Sequence, residues 1–256
     1  MLSLNFQRIG TGPTLLILHG LFGSLDNWGS VTRQLSEHFD VISVDLRNHG
    51  RSEHAKPHSY PAMCQDVIDL LSQLKLSRVL LMGHSMGGKV AMQLALQAPS
   101  LIERLIVVDI APVHYPRHHD DVFRGLEQLD LTQLTSRSQA DQQLQPYIED
   151  SSVRLFLLKN LYRNESGQFA WRFNLTTLRE DYDQISQAPS GSPYQGPTLF
   201  IKGERSAYIT AEYRDAIVQL FPQAGYKVIQ NAGHWPHAEK PELFLRIVNR
   251  FLQADN

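Results

Sequence analysis

Residues 80–89 read LLMGHSMGGK, an apolar run that stops at a glycine-flanked serine. Gly83-His84-Ser85-Met86-Gly87 matches G-x-S-x-G. The preceding RVLLM has the composition of a buried strand, and the residues after it carry the period of an amphipathic helix. In that setting the motif makes a turn so sharp that side chains two residues either side of the serine would collide, and glycine stands at both positions. The turn lifts the Ser85 hydroxyl above the carboxyl ends of parallel strands, where open α/β sheets bind ligands. It also aims the Met86 N–H, at the start of the helix, toward a developing oxyanion. The plainer alternative is a glycine-rich turn that merely joins strand to helix. The strand–helix setting and the partners described below favour a nucleophile.

Outward from this turn, the first half of the chain alternates regularly. TLLIL (Thr14–Leu18), DVISVD (40–45), RVLLMG (78–83) and RLIVVDI (104–110) are apolar runs bounded by glycine or polar residues, as strands buried on both faces of a parallel sheet are. Between them, Pro61 opens a segment with Met63, Val67, Leu70, Leu71 and Leu74 at helical steps, and Pro99 ends another that begins at Met86. Strands alternating with helices predict right-handed βαβ units and an α/β, doubly wound, mostly parallel sheet. From residue 113 the pattern turns helical, with DDVFRGLEQL, SSVRLFLLKNLY and NLTTLREDYDQI as candidate helices. GPTLFIKGE and GYKVIQNAGH then restore the strand signal, and PELFLRIVNRFL closes the chain as an amphipathic helix. The expected organisation is a core of residues 1–112 and 191–256, split by a helical cap at 113–190.

Composition narrows the function. With 256 residues, 42% hydrophobic and a formal net charge of -2, the chain has no basic block that would suit nucleic acid or an anionic membrane. A single cysteine, Cys64, excludes an intramolecular disulfide and suits a reducing compartment. MLSLNFQRIGTG lacks the pattern of a signal peptide, and no apolar run approaches a membrane span, so a cytoplasmic location is expected. Zinc-type spacing, a dinucleotide fingerprint and a P-loop are all missing, so no cofactor or metal is implied.

The chain resembles the α/β-hydrolase superfamily over nearly its whole length. LLILHGLFGS is similar to that family's oxyanion strand end, VDLRNHGRS to its D-x-R-x-H-G-x-S loop, GHSMGG to its nucleophile elbow and NAGHWPHAEKP to its histidine loop. With VDIAPV and WRFN, these segments resemble more narrowly the small bacterial YbfF-type esterases. The resemblance implies an α/β-hydrolase fold with a helical cap inserted after the sixth strand. It also implies cleavage of a small-molecule acyl ester or thioester as substrate, acyl-CoA among them, and leaves the oligomeric state open.

The base and the acid must be chosen from among several candidates. His234 follows a predicted strand near the C-terminus, and Ser…acid…His is the order this family uses. His19 and His49 sit beside loop glycines, His84 points away from the serine hydroxyl, and His237 is read as packing or solvent-facing. His118 and His119 are read first as polar surface of the insertion and second as pocket lining. Many family members carry the acid in a G-x-x-D pattern, but KGERSAYI places Ser206 there. A hydroxyl cannot stabilise an imidazolium, and losing a triad Asp costs about 10⁴ in turnover. Asp109 ends the strand after the nucleophile's and should emerge beside Ser85, so it is the first choice. Glu204 is the second and Asp45 a distant third.

The candidate oxyanion donors are the N–H groups of Met86 and of Leu21, the residue after His19-Gly20. Phe22 either walls the pocket or packs in the core. Trp171, Arg172, Tyr208 and Trp235 are candidate pocket residues, with anchoring of the cap the stronger reading for Trp171 and Phe173. Arg117, Arg124 and Arg172 are read first as solvated charges and second as contacts for an anionic substrate. Lys89 and Cys64 are read as structural. A lyase or C–C bond hydrolase on the same residues, and a receptor without turnover, are the rival functions.

Overall fold

The computed structural model describes residues 2–254. Seven strands, β1 (Phe6–Ile9), β2 (Thr14–Leu18), β3 (Asp40–Val44), β4 (Val79–His84), β5 (Ile102–Val108), β8 (Thr198–Gly203) and β9 (Ala224–Ile229), form one sheet in the order β1-β3-β2-β4-β5-β8-β9. Two more, β6 (Leu161–Arg163) and β7 (Phe169–Trp171), form a separate hairpin. In the main sheet only β1 runs antiparallel, against β3.

The strand sequences dictate this arrangement. Along β2, Leu16 and Leu18 enter the core on one face while Leu15 and Ile17 enter the core on the other, the period-2 division of a doubly covered sheet. On the first face, the helices Tyr60–Gln73 and Met86–Gln97 pack Met63, Val67, Val90 and Leu94 onto the strands. On the second, Trp28, Leu35, Phe244 and Val248 close the other layer. The Ser59 side chain caps the first of these helices by accepting the Ala62 N–H. β9 forms the edge of the sheet and leaves Tyr226 and Val228 exposed.

The insertion follows the fifth strand in chain order rather than the sixth, because a single antiparallel strand, β1, precedes the parallel set. It is also not purely helical. The helix predicted from SSVRLFLLKNLY stops at Leu158, and Leu161–Arg163 pairs instead with Phe169–Trp171 around a turn at Gly167, whose φ is +75°. NLTTLREDYDQI breaks at Asp181 into two short helices, and Arg137–Leu144 forms a further one.

Candidate active site

Parallel register brings three loops to one edge of the sheet. Beyond the strand ends, the Ser85 N–H donates to Val108 O (3.0 Å), Asp109 N–H to Ile201 O (2.8 Å), and Glu204 N–H to Ile229 O (3.0 Å). Each loop is thus pinned to the next strand in order. Ser85 adopts φ 54° and ψ -120°, a conformation that costs a non-glycine residue about 1–3 kcal/mol. A Cβ at Gly83 would lie 2.1 Å from Gly87 O, so this turn closes only with glycine there. Asp109, at φ 54°, is turned the same way.

The outcome is an unbroken chain of hydrogen bonds. His234 Nε2 lies 3.1 Å from Ser85 Oγ, and His234 Nδ1 lies 2.7 Å from Asp109 Oδ2. Asp109 is fully buried, and its other oxygen accepts the Gly203 N–H at 3.0 Å. Ser206 donates its hydroxyl to Asp109 Oδ2 and accepts the Tyr208 N–H. The residue at the family's usual acid position therefore supports the carboxylate from the neighbouring strand. Glu204 turns elsewhere and accepts the Asn231 N–H at 2.9 Å. Asp45 fastens its own loop, accepting from Asn5, Leu25 N–H and Arg51 N–H. Arg47 pairs with Asp66.

His84 and Glu239, neither of them assigned this role from the sequence, hold the histidine loop. His84 Nε2 donates to His234 O at 2.7 Å. Burial, with His234 and His237 adding to it, pushes His84 well below its ordinary value, so its one ring proton sits on Nε2. Glu239 accepts the Gly233 and Trp235 N–H groups from the other side. His237 stacks on Trp28 with centroids 4.2 Å apart, and burial lowers it to about 3.

The oxyanion side is built as closely. Gly20 approaches Ser85 so nearly that a Cβ there would sit 3.2 Å from Ser85 Cβ. Phe22 takes φ 57°, and its peptide is held at both ends: His49 Nε2 accepts its N–H at 3.1 Å, and Asn160 of the insertion donates to its carbonyl at 2.7 Å. Met86 N is the first helical amide after the elbow, where no intrahelical acceptor exists.

Of the candidate pocket residues, Phe22 does both things considered for it. It packs edge-on against Phe123 and Phe173 and also lines a groove of about 840 Å³ that contains Ser85, His234 and Trp235. Tyr208 stacks on the His234 ring, centroids 4.1 Å apart. Trp171 and Arg172 do not line this groove: they line a separate cavity with Arg51 and His54. Trp171 stacks on Phe173, in keeping with an anchoring role. His118 is exposed, as the surface reading expects, and both His118 and His119 also line the site, the second reading: His118 Nε2 bonds to Tyr208 OH and His119 Nδ1 to Tyr182 OH, each at 2.6 Å. Burial lowers His119 to about 3. Arg117 and Arg124 are engaged by Asp120, Asp183 and Asp121.

Residues 13–241 match the family model described as the alpha/beta hydrolase fold. The chain belongs to the α/β-hydrolase family. Among its α/β-hydrolase relatives, Esterase YbfF of Escherichia coli is 40% identical, over 96% of this chain and 95% of that protein. The mouse sn-1-specific diacylglycerol lipase ABHD11 is 43% identical, over 94% of this chain and 81% of its own length. A solved marine microorganism esterase superposes with a TM-score of 0.96 at 38% identity, covering 98% of this chain and all of that one. These relatives place the chain among the esterases and lipases of the α/β-hydrolase family. Among the described residues, no helix is long and apolar enough to cross a membrane.

Proposed function

We propose that the protein hydrolyses carboxylic esters or thioesters through an acyl-enzyme on Ser85. His234 Nε2 takes the hydroxyl proton as Ser85 Oγ attacks the carbonyl carbon. Asp109 accepts the Nδ1–H, fixing the tautomer and stabilising the imidazolium. The N–H groups of Leu21 and Met86 receive the oxyanion, each such donor being worth about 3 kcal/mol in the transition state. The tetrahedral adduct collapses, and His234 returns the proton to the departing alcohol or thiol. Water then repeats the attack on the acyl-enzyme and frees the acid.

The observation that carries this reading is the continuous Ser85–His234–Asp109 hydrogen bonding on a buried, doubly supported carboxylate. The receptor alternative rested on a missing acid, and nothing favours it with Asp109 2.7 Å from His234. The groove, lined also by Lys159 and Arg205, has room for a bulky leaving group such as coenzyme A. Cys64, the single cysteine, is a buried free thiol that burial pushes up to about 12, which suits an inert side chain in a reducing cytoplasm.

Intact-mass spectrometry after reaction with a fluorophosphonate tests the nucleophile, alongside turnover of p-nitrophenyl butyrate. One adduct on Ser85, lost in Ser85→Ala, with ester turnover by the wild type, is the expected result. Adduct formation without ester turnover would transfer the assignment to a lyase or C–C bond hydrolase.

A further inference from the structure

A second cavity, of about 400 Å³, opens where the cap meets the core. Arg51 and His54 line it from the loop after β3, and Tyr162, Trp171 and Arg172 line it from the cap hairpin and the residue that follows. That volume is in the range of sites that hold small metabolites. The wall is cationic. No carboxylate side chain lines it, and among the described residues neither Arg51 nor Arg172 takes part in an ion pair. The acids nearest Arg51 in the chain are engaged elsewhere: Asp45 accepts from Asn5 and from the backbone N–H groups of Leu25 and Arg51, and Glu53 accepts the Ser3 N–H. Trp171 adds a further donor, since its Nε1 is buried without an acceptor.

Donors that share one space and find no acceptor there define the partner that is missing. Both guanidinium groups stay charged at every physiological pH, and each presents a planar fork that matches two oxygens of an oxyanion. The Arg172 guanidinium lies 4.5 Å from the Tyr162 ring centroid, a contact that steadies the fork but leaves its N–H groups unsatisfied. Two forks and an indole N–H suit a phosphate monoester, with its near-double charge and three terminal oxygens, better than a carboxylate with two. The rest of the ligand should be hydroxylated rather than apolar. His54 donates Nε2–H to Arg172 O at 3.2 Å, which leaves Nδ1 of the neutral ring to accept from a hydroxyl.

We propose that this cavity binds a small phosphate monoester of a hydroxylated compound, a sugar phosphate in size and polarity, and that the phosphate bridges Arg51 of the core to Arg172 of the cap. The proposal goes beyond the acyl-transfer reading of Ser85 and does not depend on it. The cavity shares no lining residue with the groove at Ser85, so the phosphate occupies a site of its own. Its effect is to tie the cap hairpin to the loop after β3.

Isothermal titration calorimetry of the full chain with ribose 5-phosphate and with ribose, at fixed ionic strength, tests this. Ribose 5-phosphate should bind at one site per chain, and ribose should not bind. Arg51→Met and Arg172→Met should each weaken binding by about tenfold to a hundredfold, the value of a charge-assisted hydrogen bond. Melting curves without ligand establish that each variant is folded. Arg51 is exposed, so Arg51→Met carries the test should Arg172→Met fail to fold. No binding of ribose 5-phosphate at millimolar concentration, or unchanged affinity in folded Arg51→Met, overturns the proposal. A kinetic arm separates this cavity from the groove, where a phosphate on the leaving group would lie. Ribose 5-phosphate should not compete with p-nitrophenyl butyrate, and a KM that climbs in proportion to its concentration would put the phosphate in the groove and overturn the site. Absence of ester turnover would retire the esterase reading alone and leave the calorimetric result to decide this one.

Discussion

Ser206 donates its hydroxyl to the same Asp109 oxygen that faces His234. The two side chains come from different strands, β5 and β8, and meet because those strands run parallel and in register. Where many α/β-hydrolases place the acid itself, this chain places a donor to an acid that arrives from next door. Ser206→Ala leaves Asp109 its bonds to His234 and Gly203, so turnover of p-nitrophenyl butyrate should fall by no more than about tenfold. Adding Ser206→Asp to Asp109→Asn should recover part of the activity lost in Asp109→Asn alone. No recovery in a folded double variant would show that the two positions are not interchangeable.

The Phe22 peptide joins the cap to the oxyanion loop. Asn160→Leu removes the donor to Phe22 O while keeping the volume of the side chain, which leaves the positive-φ turn held by His49 and by the Gly23 N–H donating to Gly20 O. We expect kcat to drop by about tenfold with KM little changed, because the loss is felt where the oxyanion forms. A rise in KM at constant kcat would place the effect in substrate binding instead.

Tyr208 lies flat against His234 and hydrogen-bonds His118 through its hydroxyl. Tyr208→Phe keeps the ring on the imidazole and should cost less than Tyr208→Ala, which uncovers it to water. Steady-state rates for the two variants give the order directly, and the reverse order would assign the hydroxyl the larger part.

Acid should unfold this protein early. Burial holds His58, His119 and His237 at about 3, far below their value in an unfolded chain. Between about pH 6.5 and 3 the unfolded state therefore binds protons that the native state refuses, so stability is full above that window and falls as pH drops through it. Each such histidine contributes a slope of about 1.4 kcal/mol per pH unit. His237→Phe keeps a ring stacked on Trp28 and removes one proton from that balance. Urea unfolding at pH 7, 5.5 and 4.5 should show a shallower acid loss in this variant than in the wild type.

The elbow, the strand ends and the histidine loop were legible because each is local. A glycine two residues from Ser85 on either side, or an apolar run stopping at Asp109, announces itself within a few positions. Asp109 could also be placed by counting strands, since parallel neighbours end at one edge. The cap was harder. His118 and His119 find Tyr208 and Tyr182 across 90 and 63 residues, contacts that no local pattern carries. The first strand of the hairpin at 161–171 begins at the end of a helical-looking run, and the cavity that Trp171 and Arg172 line with Arg51 and His54 joins residues far apart in the chain. Lys89 reads as structural, but the tyrosine rings that cover its ammonium, Tyr60 and Tyr115, come from distant segments that no local pattern joins.

The central claim is that Asp109, and not Glu204, completes the hydrogen bonding to His234. Steady-state hydrolysis of p-nitrophenyl butyrate by wild type, Asp109→Asn and Glu204→Gln, with Ser85→Ala as background, tests it most directly. Asp109→Asn should lose about 10⁴ in kcat, and Glu204→Gln should stay near wild type. Retention of activity in Asp109→Asn, or collapse in Glu204→Gln, would contradict the assignment.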